Sequence, residues 1–424
     1  IYGRKRLAGR QQDHARLSES AKPSLVERFA VRMKKILVFC DYYLPSVKSG
    51  GGMWTVANLV ERFCDRYEFH IVTRNYDSPG DTTPYSSVRT GEWNDVYNAR
   101  VYYAEAGDIT KSTVARLVSE VRPDCVFLNS AFSTPVVKYL MARRAKLVPE
   151  VPTILAPCGE LSIGALKSKR YKKKAYLAYA RFLGLYTGVI WKASTETEVI
   201  EIRRVFGSTL EPLIAPDLTP KSILPDFSVD KKPNKTAGAV KFVFLSRIVQ
   251  KKNLKYFLEL LTEINVGKIT FDIVGPQEDA AYWNECAAVV DKLADNITVN
   301  IIGGVSYADG LRSLCNNHFL VLPTLNENFG YVFIESLAAG SPLLISDQTV
   351  WGEVEKNNAG WAIPLGEHLR WIDTINKCVA MSPDEYSTMA NASRNFAISW
   401  LADNRLEQAT ADVLNAALEY NDAK

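Results

Sequence analysis

The 424-residue sequence lacks several features that would assign it quickly to a class of protein. Its seven cysteines are scattered singly, with no CxxC pair and only four histidines, so neither a disulfide framework nor a zinc site is predicted. No run of about 18 apolar residues occurs, which argues against a membrane-spanning helix. The net charge is only +4, so the chain as a whole is not predicted to bind nucleic acid. It contains no DxD triplet, so the sequence does not require a catalytic metal.

What the sequence does contain is a repeated alternation of apolar, strand-like stretches with amphipathic helices. This alternation favours parallel sheets covered by helices on both faces. A proline-rich, charged stretch at 218–239 shows no periodicity and is the predicted linker. We therefore predict two Rossmann-like doubly wound α/β domains that face a cleft, at 33–217 and 240–395. A C-terminal helix at 396–424 is expected to cross back to the first domain, and residues 1–32 to lie outside the fold.

Three loops that follow predicted strands carry residues suited to a phosphorylated ligand. Gly51 and Gly52 belong to SGGG before a helix, where backbone amides can approach an anion. Arg247 and Lys252 lie five residues apart in SRIVQKKN and offer a forked donor and a point charge. Taken alone, these patterns are equally compatible with a flexible turn and a solvated run of charge.

The third loop leads into a helix in ENFGYVFIE, which begins at Glu327 and ends at Glu335. Phosphates would meet the backbone amides at Phe329–Tyr331, where the helix dipole favours negative charge. Glu327 would accept sugar hydroxyls and Glu335 would accept ribose hydroxyls. For an isolated pair of this spacing, two ordinary helix carboxylates remain the simpler interpretation.

The segment ENFGYVFIE with SLAAGSPLLIS behind it resembles the E-x7-E signature of family 4 glycosyltransferases. SRIVQKKN resembles the Arg and Lys loop of that family, and the segments 157–176 and 191–206 also look like family segments. The resemblance covers the chain from about residue 34 onward. It implies the GT-B fold, a nucleotide-sugar donor in the second domain, no required cofactor, and retention of anomeric configuration.

Carried onto this sequence, the resemblance implies a set of site residues. Arg247, Lys252 and Glu327 would carry catalysis, and the base would lie near Gly275 and Val305. The implied donor-binding residues are Gly51, Gly52, Arg247, Lys252, Gly275, Val305, Glu327, Asn328, Phe329, Gly330, Tyr331 and Glu335.

One departure from the family pattern concerns a histidine that many members carry at the end of a first-domain strand. Here Asn129 and Ser130 stand at that place. No side chain in the sequence is an obvious nucleophile or general base. This suits a front-face mechanism, in which the leaving diphosphate takes the acceptor's proton and catalysis comes from positioning and charge stabilisation.

The acceptor side is predicted on the first domain, where residues 138–181 hold eleven basic and two acidic side chains. Asn129, Ser130, Lys167, Arg170 and Lys173 are the candidate acceptor residues. Basic and aromatic residues in one stretch can hold a protein to anionic lipid. A solvated helix face explains the same stretch equally well.

The leading hypothesis is therefore a retaining, metal-independent hexosyltransferase. It would use a nucleoside-diphosphate sugar, with UDP-glucose as first choice because UDP-sugars predominate in the family. The acceptor would be a glycan or lipid-linked glycan of bacterial surface polysaccharide, and the protein cytoplasmic, at the inner face of the plasma membrane if the basic stretch binds lipid. A nucleotide-sugar epimerase and a non-catalytic sugar-nucleotide-binding subunit remain as alternatives.

Overall fold

The computed structural model describes residues 32–46, 50–77, 81, 83–105, 107–167, 170–221 and 232–422. Contacts divide the chain after Met33, and the unit described below begins at Lys34. The predicted extension at 1–32 lies almost wholly outside the described residues, and so does much of the predicted linker at 218–239. The predicted domain limits therefore stay predictions.

The first part of this unit is built on an eight-stranded sheet. Its elements in chain order are β1 (Lys34–Phe39), α1 (Gly51–Phe63), β2 (Tyr67–Arg74), β3 (Trp93–Val96), β4 (Ala99–Ala104), α2 (Lys111–Val121), β5 (Cys125–Asn129), α3 (Thr134–Arg144), β6 (Thr153–Ala156), α4 (Ile163–Lys167), α5 (Arg170–Phe182), β7 (Ile190–Ala193), α6 (Glu196–Phe206) and β8 (Leu213–Ile214). The strand order is β3-β4-β2-β1-β5-β6-β7-β8. All pairs are parallel except the hairpin of β3 and β4 at one edge.

Both faces of this sheet are covered, as the uniformly apolar strands predict. Successive residues of β1 alternate between two buried layers: Leu37 and Phe39 belong to one, Ile36 and Val38 to the other. Full burial of β5 and β6 places the centre of the sheet in the core. The polar loops at the strand ends are consequently the part of this sheet that can meet a ligand.

The second part is built on a six-stranded, all-parallel sheet. Its elements are β9 (Ala239–Leu245), α7 (Leu254–Leu261), β10 (Lys268–Val274), α8 (Ala280–Val290), β11 (Ile297–Gly303), α9 (Tyr307–Cys315), β12 (Phe319–Leu322), α10 (Tyr331–Ala338), β13 (Leu343–Ser346), β14 (Gly360–Ile363), α11 (His368–Ala380), α12 (Pro383–Leu401) and α13 (Asn404–Asp422). The strand order is β11-β10-β9-β12-β13-β14. This is the order of a Rossmann sheet, in which the chain leaves β9 in both directions.

The C-terminal segment differs from the predicted helix at 396–424. It forms two helices, with a break at Ala402 and Asp403. α12 begins with a capping box between Ser382 and Glu385 and packs on the second core. α13 returns to the first domain, where Val413 and Leu414 join the layer that contains Ile36 and Val38. The predicted return of the C-terminal helix is thus observed.

The predicted alternation of strands and helices is observed, but several elements had no prediction. They are the hairpin of β3 and β4, the short strands β8 and β14, and helices α3 and α11. All seven cysteines lie in described positions and are free thiols. Among the helices within the described ranges, none is both long and apolar enough to cross a bilayer.

Candidate functional site

In the second sheet, the strands that follow β9 in the chain are added first on one side of it, as β10 and β11, and then on the other, from β12 onward. The loops after β9 and β12 lie side by side. The amide of Leu325 donates to the carbonyl of Lys251 at 2.9 Å, and the hydroxyl of Thr324 donates to the same carbonyl at 3.1 Å. A crevice at such a switch point, beyond the carboxyl ends of the strands, is where open α/β sheets bind ligands. The predicted residues Arg247, Lys252 and Glu327 all lie in these two loops.

The centre of the crevice is an ion pair between Lys252 and Glu327. The Nζ of Lys252 contacts Oε2 of Glu327, and only 13% and 12% of the two side chains are exposed. Burial alone would raise the pKa of Glu327, but the ammonium groups of Lys252 and Lys251 bring it below its usual value. The amide of Asn328 also bonds this carboxylate. Glu327 is therefore an anion held among cations.

Arg247 lies at the open rim of the same crevice. Half of its side chain is exposed, and its guanidinium donates to Glu278 at 3.0 Å. Lys251, which the sequence analysis did not single out, faces inward. Burial lowers the pKa of Lys251, Glu327 opposes this effect, and Lys252 and Arg247 add to it. Lys252 and Lys251 thus both act on the carboxylate of Glu327, and Arg247 lies close enough to act on Lys251. Such a group of cations is suited to a diphosphate.

The turn before α10 requires glycine at position 330. Gly330 has a φ of 76°, in the left-handed region. A methyl group built there would lie 2.5 Å from Cε2 of Phe333 and 2.9 Å from Cγ of Glu327. Any side chain would therefore displace the carboxylate or the first turn of the helix. Phe329 is buried, and its carbonyl accepts the indole N–H of Trp351 at 2.7 Å, which fixes the turn from below.

Glu335 lies within α10, eight residues after Glu327, and only 9% of the residue is exposed. Burial raises its pKa from 4.5 to about 7, and the nearby Tyr307 hydroxyl partly offsets the rise. The ring of Tyr307 also packs against Trp54 of α1, with 4.8 Å between ring centroids. The second carboxylate of the motif therefore lies where the two domains touch.

Gly275 and Val305 lie at the ends of β10 and β11, on the other side of β9 from Glu327. Gly275 has a φ of 145°, and a methyl group there would lie 1.9 Å from the carbonyl oxygen of Ser246. The close approach of these two loops requires glycine at this position. Val305 is half-buried against the second core. The two positions lie at the carboxyl ends of these strands, and a base held there mainly through backbone stays a prediction.

The glycine-rich start of α1 faces this crevice from the first domain. A methyl group on Gly50 would lie 3.9 Å from Nε of Arg247, and one on Gly51 would lie 3.7 Å from the ring of Tyr331. The carbonyl of Gly52 accepts a bond from Asn129 at 2.7 Å. Ser49 and the two residues before it lie outside the described residues. Gly51 thus faces the second domain, as predicted.

Tyr331 has a second role that sequence reasoning missed. Its side chain crosses from α10 into the first domain, where its hydroxyl lies 3.4 Å from Oγ1 of Thr55. Burial and the charge of Asp217 raise the pKa of this hydroxyl well above its usual range. Asp217 itself pairs with Lys192 at 2.8 Å in the first-domain interior. Tyr331 therefore ties the two domains together beside the crevice.

Asn129 and Ser130, the residues that stand in place of the family histidine, are buried and bonded within the first domain. Asn129 accepts from the thiol of Cys158 at 3.1 Å, in addition to its bond to Gly52. Ser130 donates to the carboxylate of Glu160 at 2.8 Å, which also accepts from the amide of Ala131 at 2.7 Å. Both residues hold the first-domain loops in place, and Glu160 is the more exposed group beside them.

A second pair of charged residues lies in the first domain and was not predicted. Asp41 follows β1 and pairs with Arg74, at the end of β2, at 2.8 Å. Burial raises the pKa of Asp41, and the guanidinium of Arg74 opposes the rise. Burial raises the pKa of Glu160 and the charge of Asp41 adds to the rise, whereas the hydrogen bonds from Ala131 and Ser130 oppose it. Asp41 and Glu160 each follow a buried strand, but only the strand order brings them to the same edge of the sheet.

The predicted basic acceptor residues are described only in part. The side chains of Lys167 and Arg170 lie outside what the structure describes. Lys173 donates to the carbonyl of Ala165 at 2.7 Å, and its ammonium lies 5.1 Å from the ring centroid of Phe132. Its charge also lowers the pKa of Glu160. Within the described ranges, no group of three His, Cys, Asp or Glu side chains is arranged to hold a metal ion.

Comparison with known proteins adds one family model and one curated relative. Residues 227–396, less than half of the chain, match the model of the glycosyl transferases group 1. The relative is an uncharacterized 41.2 kDa protein in the cps region of Klebsiella pneumoniae, 23% identical over 241 residues. That match covers 54% of this chain and 62% of the relative.

Solved structures match over nearly the whole chain. Sucrose-phosphate synthase from Thermosynechococcus elongatus superposes with a TM-score of 0.71 at 14% identity, covering 91% of this chain and all of that one. Anabaena HepE, crystallised with UDP and glucose, gives 0.66 at 15% identity over 90% of this chain and 100% of HepE. WaaG, a glycosyltransferase involved in lipopolysaccharide biosynthesis, gives 0.61 at 13% identity, covering 89% and 99%. These likenesses show that the chain has the predicted GT-B fold.

Proposed function

We propose that this protein is a retaining glycosyltransferase that moves a sugar from a nucleoside-diphosphate sugar to a glycan or lipid-linked glycan. The observation that carries the proposal is the crevice between the loops after β9 and β12. There Lys252 pairs with Glu327 just before α10, Lys251 acts on the same carboxylate, and Arg247 lies at the rim, paired with Glu278. A diphosphate needs such cations, and a sugar hydroxyl needs such a carboxylate.

The donor would lie across the start of α10, with each charged group in a distinct role. Lys252 and Arg247 would bind the diphosphate, Glu327 the hydroxyls of the transferred sugar, and Glu335 the ribose. The base would lie beside Gly275 and Val305. HepE, which shares the fold, was crystallised with UDP and glucose, and this supports a UDP-sugar such as UDP-glucose as the first donor to test.

The proposed reaction follows from what these residues can and cannot do. The bond from the anomeric carbon to the diphosphate oxygen breaks, and a bond to the acceptor oxygen forms on the same face of the sugar. We propose that the acceptor's proton goes to the departing diphosphate, because the carboxylates beside the proposed acceptor path are already engaged: Asp41 by Arg74, and Glu160 by Ser130 and the amide of Ala131. Cations and the helix dipole stabilise the charge that develops on the leaving group. We propose that these groups suffice without a metal.

The acceptor would enter along the first-domain wall that carries Asp41, Arg74 and Glu160. Carboxylates accept bonds from sugar hydroxyls, and their pairing keeps the wall near neutral, which suits a glycan. The curated relative lies in a cps region, which supports surface polysaccharide synthesis as the setting. We also propose membrane contact through part of residues 138–181.

A calorimetric titration of the full chain with UDP, GDP and ADP tests the donor site. Saturable binding of one nucleotide is expected, and it would name the base. Loss of most of that binding in Lys252→Ala, with binding intact in Lys255→Ala, is the expected pattern, because Lys255 forms only an exposed pair with Glu285. Binding without turnover of any nucleotide sugar would favour the non-catalytic subunit, and no binding at all would contradict the proposal.

A further inference from the structure

The strongest feature outside the crevice is the charge distribution around α5. No Asp or Glu occurs between Glu160 and Glu196, whereas seven Lys or Arg residues lie between positions 167 and 181. The whole chain has a net charge of only +4. A segment whose charged side chains are all positive attracts an anionic surface over distances of about 10 Å at ordinary ionic strength.

The exposed face of α5 combines these cations with an apolar stripe. Helical spacing puts four exposed residues on one line, and these are Tyr171, Ala175, Ala178 and Phe182. The aromatic residues at its two ends are 84% and 87% exposed. Lys172 borders the stripe on one side, and Lys174 and Arg181 border it on the other. Aromatic rings this exposed, between cations, are typical of a helix that lies in a membrane interface.

The opposite face of α5 is fixed to the first domain, so the stripe is held outward. Ala180 is fully buried, and the hydroxyl of Tyr176 lies 2.9 Å from that of Tyr186 in the core. Ile163, on helix α4 just before α5 in the chain, is also 60% exposed. The helix therefore presents a preformed surface that needs no rearrangement to meet a partner.

The structure also narrows the basic region that the sequence suggested. Arg143 donates to the carbonyls of Thr187 and Gly188, at 2.9 and 3.3 Å. Arg144 donates to the carbonyl of Leu183 at 2.7 Å. These two arginines hold the chain segment after α5 in place. The cations of 138–181 therefore do not act as one patch, and those on α5 are the ones placed beside exposed aromatic residues.

We propose that α5 docks the protein on a bilayer rich in anionic lipid, with Tyr171 and Phe182 at headgroup level and the flanking cations against lipid phosphates. A helix face that contacts only water would not need exposed aromatic residues. A helix that binds nucleic acid would not need an apolar stripe. Lys173, on the inner side of α5, reaches toward Phe132 and the loop of Glu160. The docked surface therefore borders the proposed acceptor wall, and the acceptor would be a lipid-linked glycan in the same leaflet.

Vesicle binding tests this inference without any catalytic step. The full chain is sedimented with vesicles of equal parts phosphatidylglycerol and phosphatidylcholine, and with phosphatidylcholine alone. Binding to the anionic vesicles only is expected. Lys172→Gln with Lys174→Gln should weaken it about thirtyfold, since each cation near an anionic membrane is worth about fivefold. Tyr171→Ser with Phe182→Ser should weaken it by about tenfold or more.

Matched control variants remove equal charge and equal apolar area elsewhere. Lys111 and Lys356 are exposed cations outside the α5 region, and their Gln variants should bind vesicles as the wild type does. Tyr97 and Leu369 are 86% and 76% exposed, and their Ser variants should likewise be unchanged. Circular dichroism and nucleotide titration confirm that each variant is folded.

Several results would overturn the inference. They are equal binding to neutral and anionic vesicles, control variants as impaired as the α5 variants, or binding to a DNA duplex but not to vesicles. Full retention of vesicle binding in the double variant Tyr171→Ser with Phe182→Ser would show that the aromatic stripe does not contact the bilayer. The inference rests on the proposed function only for the acceptor's identity: vesicle binding with no nucleotide binding would leave α5 docking intact and contradict the transferase.

Discussion

The ion pair of Lys252 and Glu327 gives the sharpest prediction, because its two partners should respond in opposite directions. Lys252→Ala removes a cation proposed to hold the diphosphate and leaves Glu327 with Lys251 as its remaining neighbour of opposite charge. Glu327→Gln leaves Lys252 and Lys251 without the carboxylate that they share. The first change should weaken the binding of UDP, and the second should maintain or strengthen it.

The magnitudes follow from burial. Each side chain is about seven-eighths covered, and breaking a buried pair costs about 3–5 kcal/mol when no other charge compensates. The residual exposure of the pair and the charge of Lys251 reduce this cost. We therefore expect a loss of about 2 kcal/mol in the free energy of unfolding for either variant. A charge-assisted hydrogen bond to phosphate contributes about 1.5–3 kcal/mol, so Lys252→Ala should bind UDP roughly 10- to 100-fold more weakly. Glu327→Gln should bind UDP at wild-type affinity or up to about tenfold more tightly.

Urea unfolding and calorimetric titration measure the two effects separately. The double variant completes a thermodynamic cycle, and Lys255→Ala with Glu285→Gln provides a surface-pair cycle that should couple by less than about 1 kcal/mol. Glu327→Gln should still lose transfer activity, because its proposed partner is the sugar. Equal losses of UDP affinity in both single variants would refute the assignment of one residue to the diphosphate and the other to the sugar.

Three further predictions concern the same region. Gly330→Ala should destabilise the protein by about 1–3 kcal/mol in urea unfolding, because of its positive φ and the contact with Phe333, whereas Gly366→Ala, in open space, should change little. Glu335→Gln should remove a pH dependence: the folded state raises the pKa of Glu335 from 4.5 to about 7, so its contribution to stability is greatest below pH 4.5 and is lost as pH rises through 7. Wild-type stability relative to this variant should fall by about 3 kcal/mol across that window, and a flat difference would contradict the burial of the carboxyl. Tyr331→Ala should cost about 3 kcal/mol or more in thermal unfolding, whereas a change below about 1 kcal/mol would contradict its buried position between the domains.

The sequence allowed the fold to be predicted because the strands were nearly uniformly apolar and separated by helices with clear periodicity. The hairpin of β3 and β4 was missed because its first strand, WNDV, is half-exposed and carries no alternating pattern. β14 is only four residues long and gave no usable period. Short edge strands owe their pairing to neighbours rather than to their own composition.

The candidate donor residues could be named from the sequence because they lie in short motifs that resemble those of a known glycosyltransferase family, and their role stays a prediction. Glu327, Gly330 and Glu335 are neighbours in the chain, and the turn and helix between them place all three. The pairing of Glu327 with Lys252, 75 residues earlier, could not be seen, because it depends on β9 and β12 lying next to each other.

The first-domain wall could not be predicted for the same reason. Asp41 and Glu160 belong to loops after β1 and β6, which only the strand order brings to one edge. The crossing of Tyr331 into the first domain depends on how the two sheets face each other. Such contacts between distant segments carry no local pattern, and they are where the structure added most to the account.

The central claim is that the crevice activates the anomeric carbon of a nucleotide sugar, and proton NMR of that sugar tests it most directly. UDP-glucose is incubated with the full chain in buffer, where water takes the place of the acceptor hydroxyl, with GDP- and ADP-glucose as alternatives, and the anomeric signal is followed beside a Glu327→Gln control. The account predicts release of nucleoside diphosphate and a product that first appears with the donor's anomeric configuration, with little conversion by the variant. An inverted product, a sugar epimerised at carbon 2, or equal conversion by the variant would contradict it.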